Sequence, residues 1–151
     1  MKKKILVVDD DFEQRDLYVS LFSENDFDVI SASDGQEALE RALAEKPDLV
    51  FTGIVMPRMD GFELISKLRS NAATSLVPII IFSHLGREED RNKAASLANA
   101  DFMIKGYNKP KEILARVKQL LQGPKAQPAI KKSVPDEGLD DQDDRQPRQF
   151  I

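Results

Sequence analysis

Five short apolar runs, each followed by a stretch of helical spacing, constrain what this chain can fold into more than any other feature. The runs are Ile5-Leu6-Val7-Val8, Val29-Ile30, Leu49-Val50-Phe51, Ile79-Ile80-Ile81-Phe82 and Phe102-Met103-Ile104. Continuous apolar runs without polar alternation suit strands buried on both faces, as in a parallel sheet. Between the runs, Phe12, Leu17, Tyr18, Leu21 and Phe22 recur at helical spacing to about Glu24. Ala38, Leu39, Ala42 and Leu43 form a second helical stripe, and Gly61 opens a third carrying Phe62, Leu64, Ile65 and Leu68. Glu88 to Ala98 is a more polar helix, and Ile113, Leu114, Val117, Leu120 and Leu121 stripe the last. Such β–α alternation predicts an α/β fold: a doubly wound, five-stranded parallel sheet with helices on both faces.

The punctuation agrees with this pattern. Asp11 is placed to cap the first helix, and Ser33 or Asp34 the second, where Asp34-x-x-Glu37 is close to a capping box. Pro47 stops the second helix, and Gly123-Pro124 ends the last. Beyond that point the composition changes. Residues 124–151 hold four of the eight prolines, five basic and six acidic residues, and no hydrophobic period. The expectation is one folded domain over 1–122 and a disordered Pro- and charge-rich tail over 123–151, with the terminal Phe150-Ile151 the one feature that could anchor something. On that boundary no second folded domain is expected after residue 122.

Composition narrows the chemistry. Without cysteine there is no thiolate nucleophile and no Cys-built metal site, and one histidine excludes a multi-histidine site. The formal charge of −4 gives no push towards nucleic acid. No apolar run approaches the ~20 residues that span a bilayer. Lys2-Lys3-Lys4 precedes only four apolar residues, too few for a signal peptide. A cytoplasmic location is expected, with no membrane and no nucleic-acid partner.

In open parallel sheets, ligands bind outside the carboxyl ends of the strands. The residues there are Asp9, Asp10 and Asp11 after the first strand, and Thr52, Gly53 and Ile54-Val55-Met56-Pro57 after the third. Ser83 and His84 follow the fourth, and Lys105 and Gly106 the fifth. Clustered carboxylates repel unless a cation neutralises them, which suits Mg²⁺. Lys105 is a mobile positive charge suited to a phosphoryl group, or to a structural ion pair with Asp9 or Asp10. His84 reads as a loop residue without catalytic weight.

These residues carry a resemblance. Ile5-Leu-Val-Val-Asp-Asp-Asp11, Ser33-Asp-Gly-Gln-Glu-Ala-Leu39, Pro47-Asp-Leu-Val50, Met56-Pro-Arg-Met-Asp-Gly-Phe-Glu-Leu64, Pro78-Ile-Ile-Ile-Phe-Ser83 and Ala100-Asp-Phe-Met-Ile-Lys105 resemble a response-regulator receiver domain of two-component signalling. The resemblance covers residues 3 to about 122. It implies a flavodoxin-like strand order 2-1-3-4-5 and, in the family, an Asp at the end of the third strand that a histidine kinase phosphorylates. It implies metal coordination by Asp9, Asp10 and the Val55 carbonyl, a switch hydroxyl at Ser83, a switch aromatic at Phe102 and a phosphoryl-binding lysine at Lys105.

Two positions depart from that pattern. Counting back from Met56-Pro57, the phosphoacceptor position holds Gly53, which has no side chain to phosphorylate. Thr52 belongs to the opposite face by strand alternation, Asp48 to the other end of the strand, and Asp60 to the following loop. The family's usual Lys-Pro is Lys105-Gly106. A non-proline cis bond costs roughly 3 kcal/mol, so a trans bond or a reshaped loop is expected. The expectation is therefore a stand-alone pseudo-receiver, not an enzyme, with weak or vestigial Mg²⁺ binding, acting through a protein partner. The alternative is a phosphorelay response regulator that competes for a histidine kinase or is modified at another residue.

Overall fold

The five strands are β1 (Lys4–Val8), β2 (Asp28–Ala32), β3 (Leu49–Thr52), β4 (Ile79–Ser83) and β5 (Ala100–Ile104). They alternate with α1 (Phe12–Ser23), α2 (Gly35–Glu45), α3 (Gly61–Arg69), α4 (Glu88–Ser96) and α5 (Pro110–Gln122). The structure, a computed structural model, describes residues 2–83, 88–96 and 100–122. The tail, His84 and the expected end of α4 at Ala98 lie outside the described residues. All four strand pairings are parallel and the order is β2-β1-β3-β4-β5. Val8 pairs with both Ala32 and Thr52, so β1, β2 and β3 finish level, while Thr52 pairs with Ile81 and β4 runs two residues further to Ser83.

Strand alternation divides the core into two layers. Leu6, Val8, Val50, Ile79, Ile81 and Phe102 pack with Ala38 and Ala42 of α2 and with Phe62, Leu64, Ile65 and Leu68 of α3. Ile5, Val7, Leu49, Phe51, Ile80, Phe82 and Met103 pack on the other face against Phe22 of α1 and Ile113 and Val117 of α5. Both layers are apolar, so both faces of β1, β3 and β4 are covered, as the uninterrupted runs require, while the edge strand β2 is partly exposed. Each fully buried aliphatic or aromatic side chain stabilises by roughly 1.5–3 kcal/mol.

Helix α1 departs from its sequence stripe. Phe12 and Leu17 are 67% and 54% exposed, and only Phe22 is fully buried. At about 100° per residue, Tyr18, Leu21 and Phe22 share one arc of the helix, while Phe12 and Leu17 flank it. Leu43 likewise sits on the exposed margin of α2.

The caps form as expected, with one refinement. Asp11 accepts from the backbone N–H groups of Glu13 and Gln14, and Asp34 from that of Glu37. Glu37 reaches back one residue further than a capping box would, to the N–H and hydroxyl of Ser33. Helix α2 ends on Lys46 at φ 49°, because the following Pro47 disfavours a right-handed helical residue before it. Among the described residues no helix is long and apolar enough to cross a membrane.

Candidate functional site

The strand order brings the ends of β1 and β3 side by side, and the Gly53 N–H donates to the Val8 carbonyl at 3.0 Å. On the other side of β3, the Lys105 N–H donates to the Ser83 carbonyl at 2.8 Å, tying the ends of β4 and β5 together. From there the Lys105 side chain crosses the sheet end to β1. Its ammonium donates to Asp9 Oδ2 at 3.1 Å, and both side chains are largely buried, at 14% and 12% exposure.

Asp9 is engaged at every polar atom. Its Oδ1 accepts from the Asp11 N–H at 3.0 Å, and its carbonyl from Arg15 Nη1 at 2.8 Å. Its own N–H donates to the Ala32 carbonyl at 3.2 Å. Beneath the ion pair lies an aromatic group. Tyr18 packs 5.4 Å from Phe51 and 4.9 Å from Phe82, and the Lys105 ammonium stands 5.7 Å from the Phe82 ring centre. Burial, reinforced by the negative charge of Asp9, pushes the Tyr18 hydroxyl pKa above its ordinary value.

The other expected site residues are placed as follows. Asp10 is exposed, and Asp11 is occupied as the cap of α1. Val55 is 75% exposed in the β3–α3 loop. Ser83 is buried at the end of β4. Phe102 is buried in the layer against α2 and α3, the opposite face from the Tyr18–Phe82 group, so its ring is core. Thr52 is fully buried, and its hydroxyl donates to the Gly53 carbonyl at 2.9 Å. Asp60 caps α3 through the Glu63 N–H, and Asp48 accepts from the Lys4 N–H at the far end of the sheet.

A divalent cation does not fit these residues as a resident cofactor. Both Asp9 carboxylate oxygens already accept, one of them from an ammonium, and Gly53 supplies no ligand. Among the described residues there is no group of three or more His, Asp or Glu side chains that could hold a metal.

At Gly53 an added Cβ would lie 3.9 Å from the Val8 carbonyl oxygen and 4.0 Å from that of Phe82, both ordinary contacts. Gly61 differs: a Cβ there would stand 2.2 Å from the Gly53 carbonyl oxygen. The β3–α3 loop therefore closes on Gly61, whose N–H donates to the Ile54 carbonyl at 2.7 Å. The Lys105–Gly106 loop is reshaped in a way proline would not permit. Gly106 has φ 84°, and the N–H groups of Tyr107 and Asn108 both return to the Ile104 carbonyl. Proline holds φ near −65°.

Sequence reasoning missed three ion pairs or clamps. Arg58 makes a two-pronged pair with Asp34, clasping the β3–α3 loop to the start of α2. Arg58 has φ 68°, with the Met59 N–H donating to the Pro57 carbonyl at 2.7 Å around it. The Glu37 N–H and Arg58 hold the Asp34 carboxyl below its usual range. Asp101, nearly fully buried in β5, pairs with Arg116 of α5. Its signal was legible, since a carboxylate within an apolar strand needs a partner. Arg69 donates to the carbonyls of Ser75 and Val77, and burial lowers its pKa.

Comparison with known proteins adds a family. The family model described as "Response regulator receiver domain" matches residues 5–118. The alkaline phosphatase synthesis transcriptional regulatory protein PhoP of Bacillus subtilis is 38% identical over 122 residues, covering 81% of this chain and 50% of that protein. The transcriptional regulatory protein SrrA of Staphylococcus aureus is 33% identical over 122 residues, covering 81% of this chain and 49% of SrrA. The chain thus spans about half the length of these relatives. The chemotaxis response regulator CheY4 of Vibrio cholerae superposes with a TM-score of 0.74 at 24% identity over 80% of this chain and 100% of CheY4, a likeness of fold alone. The signal receiver domain of a signal transduction histidine kinase from Syntrophus aciditrophicus matches with a TM-score of 0.74 at 26% identity, covering 87% of this chain and 99% of that one.

Proposed function

The chain belongs to the response regulator receiver domain family, and from that premise we propose that it is a pseudo-receiver, binding a protein partner without aspartyl phosphorylation. The observation that carries the reading is Gly53. It stands at the carboxyl end of β3, hydrogen-bonded to Val8 and next to Asp9, where the side chain of an acceptor would project. Two further features support it. Thr52, the adjacent hydroxyl, is fully buried and bonded to a carbonyl. Lys105, the cation expected to meet a phosphoryl group, is engaged by Asp9.

On this reading the protein is a binding module and not an enzyme. Among the described residues the site brings together no nucleophile with an adjacent base. Its location would be cytoplasmic, and any Mg²⁺ binding weak. The relatives named as transcriptional regulators are about twice as long, so DNA binding is not carried over to this chain.

The test is incubation of the full chain with a small acyl phosphate and Mg²⁺, followed by intact mass spectrometry. No phosphoryl uptake is expected from the wild type, and hydroxylamine-labile uptake would overturn the reading. Gly53→Asp, whose Cβ meets no close contact, should fold and provides the positive control.

A second reading, competition with phosphoaccepting receivers for a histidine kinase, is favoured by the exposed apolar side chains of Phe12 and Val55, which follow β1 and β3 at the rim of the site. Inhibition of kinase-to-receiver phosphotransfer by the unphosphorylated chain, lost in a Phe12→Asp/Val55→Asp double variant, would distinguish it.

A further inference from the structure

We infer that the Lys105 ammonium is the resident cation of this site, so that, with glycine at residue 53, Asp9 and Asp10 form a divalent-ion site only when Lys105 is removed. This deepens the pseudo-receiver reading and rests on it. The test reads cation binding rather than phosphate uptake, so either can fail without the other.

The inference starts from the commitment of Asp9. A divalent cation has to take a carboxylate lone pair and leave an excess of negative charge around itself. Here one oxygen of Asp9 accepts from the Asp11 N–H and the other from Lys105 at 3.1 Å. Arg15 adds a second fixed cation, 2.8 Å from the Asp9 carbonyl oxygen. Asp9 is thus met by two positive side chains, one on its carboxylate and one on its carbonyl. The third nearby carboxylate, Asp11, is turned to the N-terminus of α1.

The pair is also held from below and from the side. Lys105 is anchored by its own N–H on the Ser83 carbonyl and stands over the Phe82 ring. Its exposure is 14%, against 12% for Asp9, so neither charge is well solvated if the other leaves. A divalent ion would therefore have to expel a buried ammonium that has no alternative carboxylate at residue 53. Removing the ammonium reverses the balance. Asp9 then needs a counter-ion, Asp10 is exposed beside it, and the space over Gly53 is free of close contacts.

Mn²⁺ is the probe, with the full chain as the protein. Amide signals of residues 8–11 should show no site-specific paramagnetic broadening in the wild type at Mn²⁺ concentrations below the millimolar range. Lys105→Met and Lys105→Gln should show it at concentrations at least tenfold lower, with a Tm that rises on adding Mn²⁺ while the wild-type Tm does not. A variant that folds only when Mn²⁺ is present gives the same support. Broadening of the wild type at micromolar Mn²⁺ overturns the inference. So does a folded Lys105→Met or Lys105→Gln with no gain, and so does failure of both variants to fold in the presence of Mn²⁺.

Discussion

Two glycines lie against each other at the mouth of the site, and alanine should move stability in opposite directions at the two positions. Neither has a left-handed φ, so only space and chain entropy count. At Gly61 the new methyl would stand 2.2 Å from the Gly53 carbonyl oxygen and 3.1 Å from Ile54 Cα, both backbone atoms that no rotamer can clear. The loop must retreat by more than 1 Å, an overpacking cost of about 1–3 kcal/mol. That retreat also breaks the 2.7 Å bond from the Gly61 N–H to Ile54, worth about 1 kcal/mol. Reduced freedom of the unfolded chain returns about 0.4–1 kcal/mol. The balance for Gly61→Ala is a loss of about 2 kcal/mol. At Gly53 the methyl makes only ordinary contacts at 3.9 and 4.0 Å, so the entropic gain stands alone, and Gly53→Ala should stabilise by about 0.4–1 kcal/mol. Urea denaturation followed by far-UV circular dichroism separates the two variants by about 3 kcal/mol, or roughly 10 °C in Tm at this size. Stability of Gly61→Ala within about 0.5 kcal/mol of wild type, or a destabilised Gly53→Ala, would refute the reasoning.

Three other outcomes follow from the same geometry. Breaking the buried Asp101–Arg116 pair by Asp101→Ala should cost about 3 kcal/mol, whereas adding Arg116→Met should recover much of that loss, as read by a double-mutant cycle in urea. Asp34 and Glu37 both have depressed pKa values, Asp34 chiefly through the Glu37 N–H and Glu37 through the Ser33 N–H. Their stabilisation is present above the ordinary carboxylate range and is lost as pH falls through the folded-state values. Asp34→Asn, which keeps a cap, should therefore lose less stability than wild type between about pH 5 and pH 2 in chemical denaturation. Gly106→Pro should be strongly destabilising because φ is 84°, while Gly106→Asn should cost less than about 1 kcal/mol, since asparagine tolerates that backbone; thermal melts distinguish them.

The fold was legible where one physical signal dominated. Ile5-Leu6-Val7-Val8 and Ile79-Ile80-Ile81-Phe82 have no polar position to turn to water, so they could only be strands covered on both sides, and they are. Helix α1 was less legible because Phe12 and Leu17 fall at helical spacing without falling on the buried arc; spacing counts residues, and only the neighbouring sheet decides which arc is covered. The chemistry at the strand ends was legible through topology, since any residue after β1, β3 or β5 must gather at one edge. That reasoning brought Lys105 to Asp9 or Asp10, and the structure selects Asp9. Phe102 shows where it stopped. The family resemblance implied a switch aromatic there, and parity along β5 puts its ring with the α2–α3 layer and Met103 with the other. Arg58 left no signal at all, because its pairing with Asp34 across 24 residues depends on a left-handed φ that no composition rule assigns to arginine.

Asp9 and Asp101 show why a buried carboxylate in this fold says little by itself about chemistry. Both lie at the edge of or within apolar strands, and both are neutralised by a long cation from β5 or α5. Arg116 reaches Asp101 across a helix–strand contact, so that pair holds α5 to β5. Lys105 reaches Asp9 at the carboxyl edge of the sheet, where its ammonium takes the place beside the carboxylate that a divalent cation would need. The two pairs have the same charges and similar exposure, and their difference lies in position along the strand. On the proposed reading, a counter-ion fixed at the carboxyl edge is therefore what sets this site apart from one that holds a divalent ion.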